Sequence, residues 1–154
     1  SALTTWYVRR YPPDVFPGLV LLAAGLIGGG RLRASEYVLQ ELGEKKDPLH
    51  DWAARQGGFF IKTDQIVAQR AADLTAKYPL LTDPDSLRAV QADPFVVARA
   101  ASQSGWTVVT EETLAKTKTS GKRKKRTYIP DVCVAEGVRC IGFLEMMREE
   151  NWSL

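Results

Sequence analysis

The sequence is poor in the side chains that most often build catalytic and soft-metal sites. Its 154 residues include one histidine, His50, and two cysteines, Cys133 and Cys140. A single histidine, which we expect to be solvated in a polar helix, excludes sites built on several imidazoles. Six residues separate the cysteines, which fits no zinc-ligand spacing and allows at most one bridge. We therefore expect two reduced thiols in a cytoplasmic protein.

Long apolar runs and several familiar catalytic motifs are also missing. The longest apolar run, residues 18–30, is about 13 residues long and too short to span a bilayer, so we expect no membrane partner. The chain contains no G-x-S-x-G, no G-x-x-x-x-G-K-[ST] and no H-E-x-x-H motif. Its glycine triplet, residues 28–30, follows a predicted helix, whereas a phosphate-binding loop should open one.

Positive charge is concentrated in one segment. Residues 116–126 contain seven basic side chains and no acid, and without them the formal net charge of +3 would be −4. The rest of the chain is therefore slightly acidic, and the basic segment either is a solvated loop or contacts a polyanion.

The order of predicted elements indicates an α/β fold. Short β-branched or aromatic stretches alternate with amphipathic helices, and no two of them form a hairpin. This pattern predicts a single domain over residues 1–154, with a parallel central sheet flanked by helices on both faces. The predicted strands are residues 31–34, 59–62, 106–110 and 138–142.

Four acids occupy positions where such a sheet binds ligands. Asp93 begins a predicted helix, Glu112 follows the strand at residues 106–110, Asp131 follows the basic segment, and Glu41 lies on the helix after the first strand. Ligands of open parallel sheets bind outside the carboxyl ends of the strands. Clustered carboxylates repel one another unless cations occupy the cluster, and oxygen-only ligands favour Mg²⁺ or Mn²⁺.

Each of these acids also has a purely structural explanation. Asp93 and Asp131 can cap helices, Glu112 can be solvated at a strand end, and Glu41 can pair with Lys45 one turn later. No single residue decides between these readings and a metal site. The order of the acids along the chain favours the metal site.

That order resembles the PIN-domain family, the small metal-dependent ribonucleases that include VapC-type toxins. Residues 38–42 (V-L-Q-E-L) are similar to its V-x-x-E-L element, residues 92–98 (A-D-P-F-V-V-A) to its A-D-x-x-[IVL]-A element, and residues 109–112 (V-T-E-E) to its V-T-x-[DE] element. The endings I-P-D-V-C and G-V-R-C-I, with the opening R-R-Y-x-P, resemble a less characterised PIN-like branch.

The resemblance implies a three-layer α/β/α fold and a specific site. Glu41, Asp93, Glu112 and Asp131 would hold Mg²⁺ or Mn²⁺ and be catalytic, and the protein would cleave RNA as the toxin of a toxin–antitoxin pair. A cognate antitoxin and a homodimer are the implied protein partners. The implied RNA-binding residues are Arg9, Arg10, Lys122, Arg123, Lys124, Lys125 and Arg126.

One part of the family pattern is missing. Residues 1–4 fit the family's first motif only from its third position onward, so we expect the first strand and its aspartate to be absent. Another segment or chain, or the upstream part of a longer gene product, would then supply the central strand, and residues 106–110 should not be paired on both sides within this chain. The missing aspartate supports an alternative, a catalytically inactive PIN-like module that binds RNA or a protein. A DNA nuclease with the same site is a third possibility.

Overall fold

The computed structural model describes residues 1–119 and 126–153. The described chain is mixed α/β, with short parallel strands between helices, as predicted. Its helices and strands, in chain order, are α1 (Ala2–Thr4), α2 (Pro17–Gly28), β1 (Ala34–Ser35), α3 (Glu36–Gly43), α4 (Pro48–Ala54), β2 (Phe60–Ile61), α5 (Gln65–Lys77), α6 (Asp93–Ala101), β3 (Val108–Val109), α7 (Ile129–Glu136), β4 (Cys140–Ile141) and α8 (Phe143–Glu149).

The chain divides into two compact units. Unit 1 consists of Ser1–Lys62 and Phe143–Leu154, and unit 2 consists of Thr63–Gly142. Three of the acids predicted to bind metal, Asp93, Glu112 and Asp131, belong to unit 2, and Glu41 belongs to unit 1.

Side-chain caps begin most helices of unit 1. The Ser35 hydroxyl accepts a hydrogen bond from Tyr37 N at 3.3 Å, and Asp47 Oδ1 accepts one from His50 N at 3.0 Å. Serine and aspartate are favoured at these positions because their side-chain oxygens satisfy amides that a helix leaves unpaired. Helix α1 continues into a π-helical segment, Thr5–Arg10.

Aromatic rings form much of the interior of unit 1. Trp6 is almost fully buried and stacks on Phe143, with 5.4 Å between ring centroids and 12° between ring planes. Trp52 lies 6.0 Å from Trp6 and 6.4 Å from Phe59. Strands β1 and β2 pair in parallel beside this cluster, with Ala34 opposite Phe60.

Unit 2 is built on the β3–β4 pair. The strands are parallel, with Val108 opposite Cys140, and Thr110 N donates to Ile141 O at 2.9 Å just beyond the ladder. Helices α5, α6 and α7 bury one apolar cluster against them, and such burial stabilises by roughly 25 cal/mol per Å² of apolar surface. The buried members are Val67, Ala71, Leu74, Leu81, Val97, Ala98, Val108, Ile129, Val132 and Cys133.

The strands depart most from the sequence-based prediction. Among the described residues they form two separate pairs of two residues each instead of one longer sheet. Strand β4 lies in the short segment between Gly137, the C-cap of α7, and Phe143, which begins α8. Within residues 1–119 and 126–153, β3 pairs with β4 alone.

Asp93 begins α6, as predicted, but it is not the residue that caps the helix. Ala92 is the N-cap: its carbonyl accepts hydrogen bonds from Phe95 N at 3.0 Å and Val96 N at 3.1 Å. Asp93 is thus the first helical residue and Pro94 the second, and the prediction that Asp93 is the N-cap was wrong. A proline fits either position, because neither amide has a partner within the helix.

None of the described helices is both long enough and apolar enough to cross a membrane.

Candidate active site

Two of the predicted acids lie side by side at the amino end of α7. Asp131 Oδ2 accepts a hydrogen bond from Tyr128 N at 2.8 Å, and Glu112 Oε2 accepts one from the next amide, Ile129 N, at 2.9 Å. Ala115 N donates to both oxygens of Asp131, at 3.1 and 3.2 Å. Consecutive amides therefore hold both carboxylates, although the acids are 19 residues apart in sequence.

The local sequence explains why this helix end attracts acids. Asp131 is the third residue of α7, and its carboxylate reaches back to the amide of the N-cap residue, Tyr128. An acid at this position satisfies an unpaired amide and complements the positive end of the helix dipole. Pro130 lies in the first turn, where its missing N–H costs nothing.

Glu112 is positioned by the strand that precedes it. Thr110 is buried at the carboxyl end of β3, and its hydroxyl accepts a hydrogen bond from Glu112 N at 3.2 Å. The turn after β3 thus directs Glu112 toward α7. The prediction that Glu112 follows the carboxyl end of this strand is confirmed.

The other two predicted acids lie on other helices, Asp93 on α6 and Glu41 on α3. Asp93 is half-buried in the first turn of α6, which packs against both β3 and α7. Glu41 is half-buried on α3 of unit 1. Within the part of the chain that the structure describes, no three histidine, cysteine or acidic side chains lie close enough together to hold a metal ion.

An aromatic ring with two cations lies next to the acid pair. Lys118 Nζ is 4.5 Å from the centroid of the Tyr128 ring, and Arg126 Cζ is 6.0 Å from it. Lys118 Nζ also donates to the Thr113 hydroxyl at 2.8 Å. Lys118, Thr113 and Tyr128 were not among the RNA-binding residues predicted from the sequence. Among them, the tyrosine beside a basic segment was the signal that could have identified an aromatic contact for bases.

The predicted RNA-binding cations are only partly covered by the structure. Arg9 and Arg10 are exposed in the last turn of the π-helical segment of unit 1. Arg126 is half-buried beside Tyr128. The other four, Lys122, Arg123, Lys124 and Lys125, lie outside the described residues.

The two cysteines pack with the apolar cluster of unit 2. Cys133 is fully buried on α7, and Cys140 is half-buried on β4. The interaction between the two thiols raises the pKa of Cys133, with burial adding to the effect, and lowers the pKa of Cys140. The expectation of two reduced thiols agrees with these positions.

A groove lies at the opposite end of the β3–β4 pair from the acids. It has a volume of about 500 Å³, and its lining includes Arg70, Trp106 and Arg139. Trp106 precedes β3 and Arg139 precedes β4, whereas Glu112 follows β3. The predicted acids of unit 2 are therefore not part of this groove.

Comparison with known proteins identifies a family but no characterised relative. Neither the curated proteins nor the solved structures include a significant match to the chain. One family profile, described as a domain of unknown function (DUF4411), matches residues 1–154. The chain therefore belongs to the DUF4411 family.

Proposed function

We propose that this protein is a Mg²⁺- or Mn²⁺-dependent endoribonuclease. The observation that supports the proposal is the meeting of Glu112 and Asp131, which the sequence predicted as metal ligands, beyond the carboxyl end of β3. Ligands of parallel strands bind at that edge. Asp93, which lies in the same unit, and Glu41, which lies in unit 1, stay predictions from the sequence.

The chemistry of the acid pair fits a hard cation. Both residues supply carboxylate oxygens, and each oxygen has two lone pairs, so an oxygen that accepts one amide hydrogen bond can still bind an ion. Mg²⁺ commonly uses one or two carboxylates and completes its shell with water and substrate phosphate. The bound ion would activate water and neutralise charge on the phosphate. The amides of Ala115, Tyr128 and Ile129 fix the carboxylates in orientation before any ion arrives.

The substrate class follows from the groups beside the acids. Lys118 and Arg126 supply positive charge close to the acid pair, and the Tyr128 ring offers a face for a base. Single-stranded nucleic acids are bound by this combination of cations and aromatic rings. The basic side chains of residues 122–125 would add attraction for the phosphate backbone. Arg9 and Arg10 are proposed as further phosphate contacts.

The biological setting is proposed from the resemblance. In a PIN-like three-layer fold with this site, the enzyme would act as the toxin of a toxin–antitoxin pair. A cognate antitoxin protein would neutralise it, and two copies could form a homodimer.

A cleavage assay with matched variants tests the proposed activity. We expect the chain to cut single-stranded RNA with Mn²⁺ or Mg²⁺ and to be inactive in EDTA. Glu112→Gln and Asp131→Asn should each lower the rate more than about 100-fold, since even the outer-shell partners of metal ligands contribute about 10–100-fold. Glu111→Gln, one residue before Glu112, is the control and should keep most of the activity.

Two results would contradict this mechanism. Cleavage that persists in EDTA would exclude metal dependence. Equal loss in Glu111→Gln and Glu112→Gln would show that the effect does not depend on the position of the carboxylate. Parallel assays with DNA of the same sequence separate a ribonuclease from a DNA nuclease.

The hydrogen bonds of the acid pair favour a second candidate function. Glu112 and Asp131 already satisfy three backbone amides, which gives both acids a structural role without a metal. In a non-catalytic module that binds RNA or a protein, this structural role would be the only one that the two acids need to have. Calorimetric titration with Mn²⁺ separates the candidates, because the enzyme should bind the ion at micromolar concentrations and the module should not.

A further inference from the structure

The groove of unit 2, with a volume of about 500 Å³, opens at the amino ends of β3 and β4. Its lining includes Arg70 of α5, Trp106 before β3, Arg139 before β4, and the residues at which α6 and α7 end. Pockets of roughly 300–1,000 Å³ accommodate small organic ligands. The acid pair lies at the other end of these strands, so the proposed ribonuclease site gives the groove no role.

The charged side chains of the lining leave an excess of positive charge. Arg70 and Arg139 are exposed, and Arg139 Nη1 donates a hydrogen bond to Thr107 Oγ1 at 3.5 Å, which keeps it beside the start of β3. Among the described residues that line the groove, Glu136 supplies the negative charge, and its carboxylate pairs with Lys77 Nζ at 3.3 Å. Because Lys77 lies outside the lining and compensates Glu136, the two arginines give the groove a positive charge that suits an anionic group.

Hydrogen-bond acceptors and an indole ring complete the lining. Helices α6 and α7 both end at the groove, and the last carbonyls of a helix have no partner within it and carry partial negative charge. Trp106 is half-buried, so part of its side chain is open to solvent. A simple anion would meet the arginines but also the negative helix ends. A ligand that joins an anionic group to a flat ring with N–H donors matches the lining better.

We propose that this groove binds a nucleotide, with the phosphate on Arg70 and Arg139 and the base beside Trp106. Guanidinium groups bind phosphate oxygens, aromatic side chains stack on bases, and the amino group of adenine donates to carbonyls. The ligand is either a free nucleotide or one nucleotide of a single-stranded RNA. The proposal does not depend on the ribonuclease activity of the acid pair. The alternative is that the arginines only compensate the charge of the two helix ends.

Calorimetric titration of the full chain with AMP, adenosine and inorganic phosphate tests the site. EDTA is present so that no metal ion joins the acid pair to the phosphate. We expect AMP to bind more tightly than adenosine or phosphate, because both halves of the ligand contribute contacts. Arg70→Gln and Arg139→Gln should each weaken AMP binding by about 10-fold, the loss expected for a charged hydrogen bond. The control, Arg88→Gln, changes an exposed arginine of the same unit outside the lining and should bind AMP like wild type.

Two variants of Trp106 test the position of the base. Trp106→Ala should weaken the binding of AMP and adenosine by about 5-fold or more and leave phosphate binding unchanged. Trp106→Phe should keep most of the affinity, because a phenyl ring also stacks on a base. The arginine variants change exposed side chains, so their result does not depend on the folding of either Trp106 variant.

Competition with a short oligoadenylate identifies the source of the nucleotide. Displacement of AMP would show that RNA supplies it, and AMP binding without displacement would show that the ligand is a free nucleotide; both results support the site. The proposal would be overturned if AMP does not bind at millimolar concentration, or if phosphate binds as tightly as AMP. It would also be overturned if the two arginine variants bind AMP no more weakly than the Arg88→Gln control.

Discussion

At the scale of single residues, the carboxylate of Asp131 joins two segments of unit 2. It binds the N-cap amide of its own helix and the amide of Ala115, 16 residues earlier. A proposed metal ligand held in this way has a fixed direction, because rotation would break hydrogen bonds on both sides. The same bonds mean that loss of Asp131 has a structural cost in addition to any cost in activity.

The stability cost of removing this carboxylate can be measured separately from catalysis. Asp131→Ala leaves the half-buried amides of Tyr128 and Ala115 without their acceptor, and we expect it to lower the free energy of unfolding by about 1–3 kcal/mol. Asp131→Asn keeps one acceptor oxygen and should cost less.

Asp73→Ala, which removes an exposed acid on α5, is the control and should change stability by less than about 0.5 kcal/mol. Urea melts of the metal-free protein give these values. A cost for Asp131→Ala no larger than the control's would contradict a structural role.

Tyr7 gives unit 1 a defined sensitivity to high pH. Burial raises the pKa of this phenol above its ordinary value of 10.0, with Arg55 lowering it and Asp47 raising it. Its protonated form therefore contributes stability that is complete below pH 10.0 and is lost as pH rises through the folded-state pKa. We expect Tyr7→Phe to lose less stability than wild type between about pH 9 and about pH 11, as measured by urea melts. Parallel pH curves for the two proteins would refute this assignment.

At the scale of elements, the helices were more predictable from sequence than the strands. Helix α5, Gln65–Lys77, has limits that its local sequence indicates, because Asp64 caps it and its apolar residues recur at helical spacing. A strand depends on a partner that the local sequence does not specify. Residues 106–110 have the β-branched pattern of a strand, yet only Val108 and Val109 pair.

The candidate site was predictable to a similar, partial degree. Sequence patterns identified Glu112 and Asp131 because their neighbours, V-V-T and I-P, mark a strand end and a helix start. The backbone amides that hold these acids could not be predicted, because amides carry no sequence signal and depend on tertiary packing. Whether Asp93 and Glu41 belong with the pair remains a prediction.

Glycines at two helix positions give opposite predictions for the same substitution. Gly137 has a φ of 68° at the end of α7, so Gly137→Ala should lower stability by about 1–2 kcal/mol. Gly25 lies within α2, and a Cβ there would meet no atom within 4 Å. Gly25→Ala should therefore raise stability by about 0.5–1 kcal/mol, since alanine loses less entropy in a helix. Thermal and urea melts measure both changes, and equal signs would be inconsistent with this account.

At the scale of the whole molecule, charge is distributed unevenly along the chain. The formal net charge of +3 depends on residues 116–126, without which it would be negative. An overall charge of this size gives little general attraction to a polyanion. Any strong binding of RNA must therefore come from local contacts, and those contacts should release counterions in proportion to the phosphates neutralised.

This difference between local and overall charge can be measured by the salt dependence of RNA binding. Replacing Lys122, Arg123, Lys124 and Lys125 with glutamine changes the formal net charge from +3 to −1. If all four contact phosphates, the slope of log K against log salt should become shallower by up to roughly 3, at about 0.7 per contact with a single strand.

The control replaces four exposed cations elsewhere, Lys45, Lys46, Arg55 and Arg70, and gives the same net charge. We expect the control to keep nearly the wild-type slope. If both variants lose slope equally, net charge alone governs binding and the basic segment is not a specific contact. Fluorescence anisotropy in EDTA, where cleavage is not expected, provides the slopes.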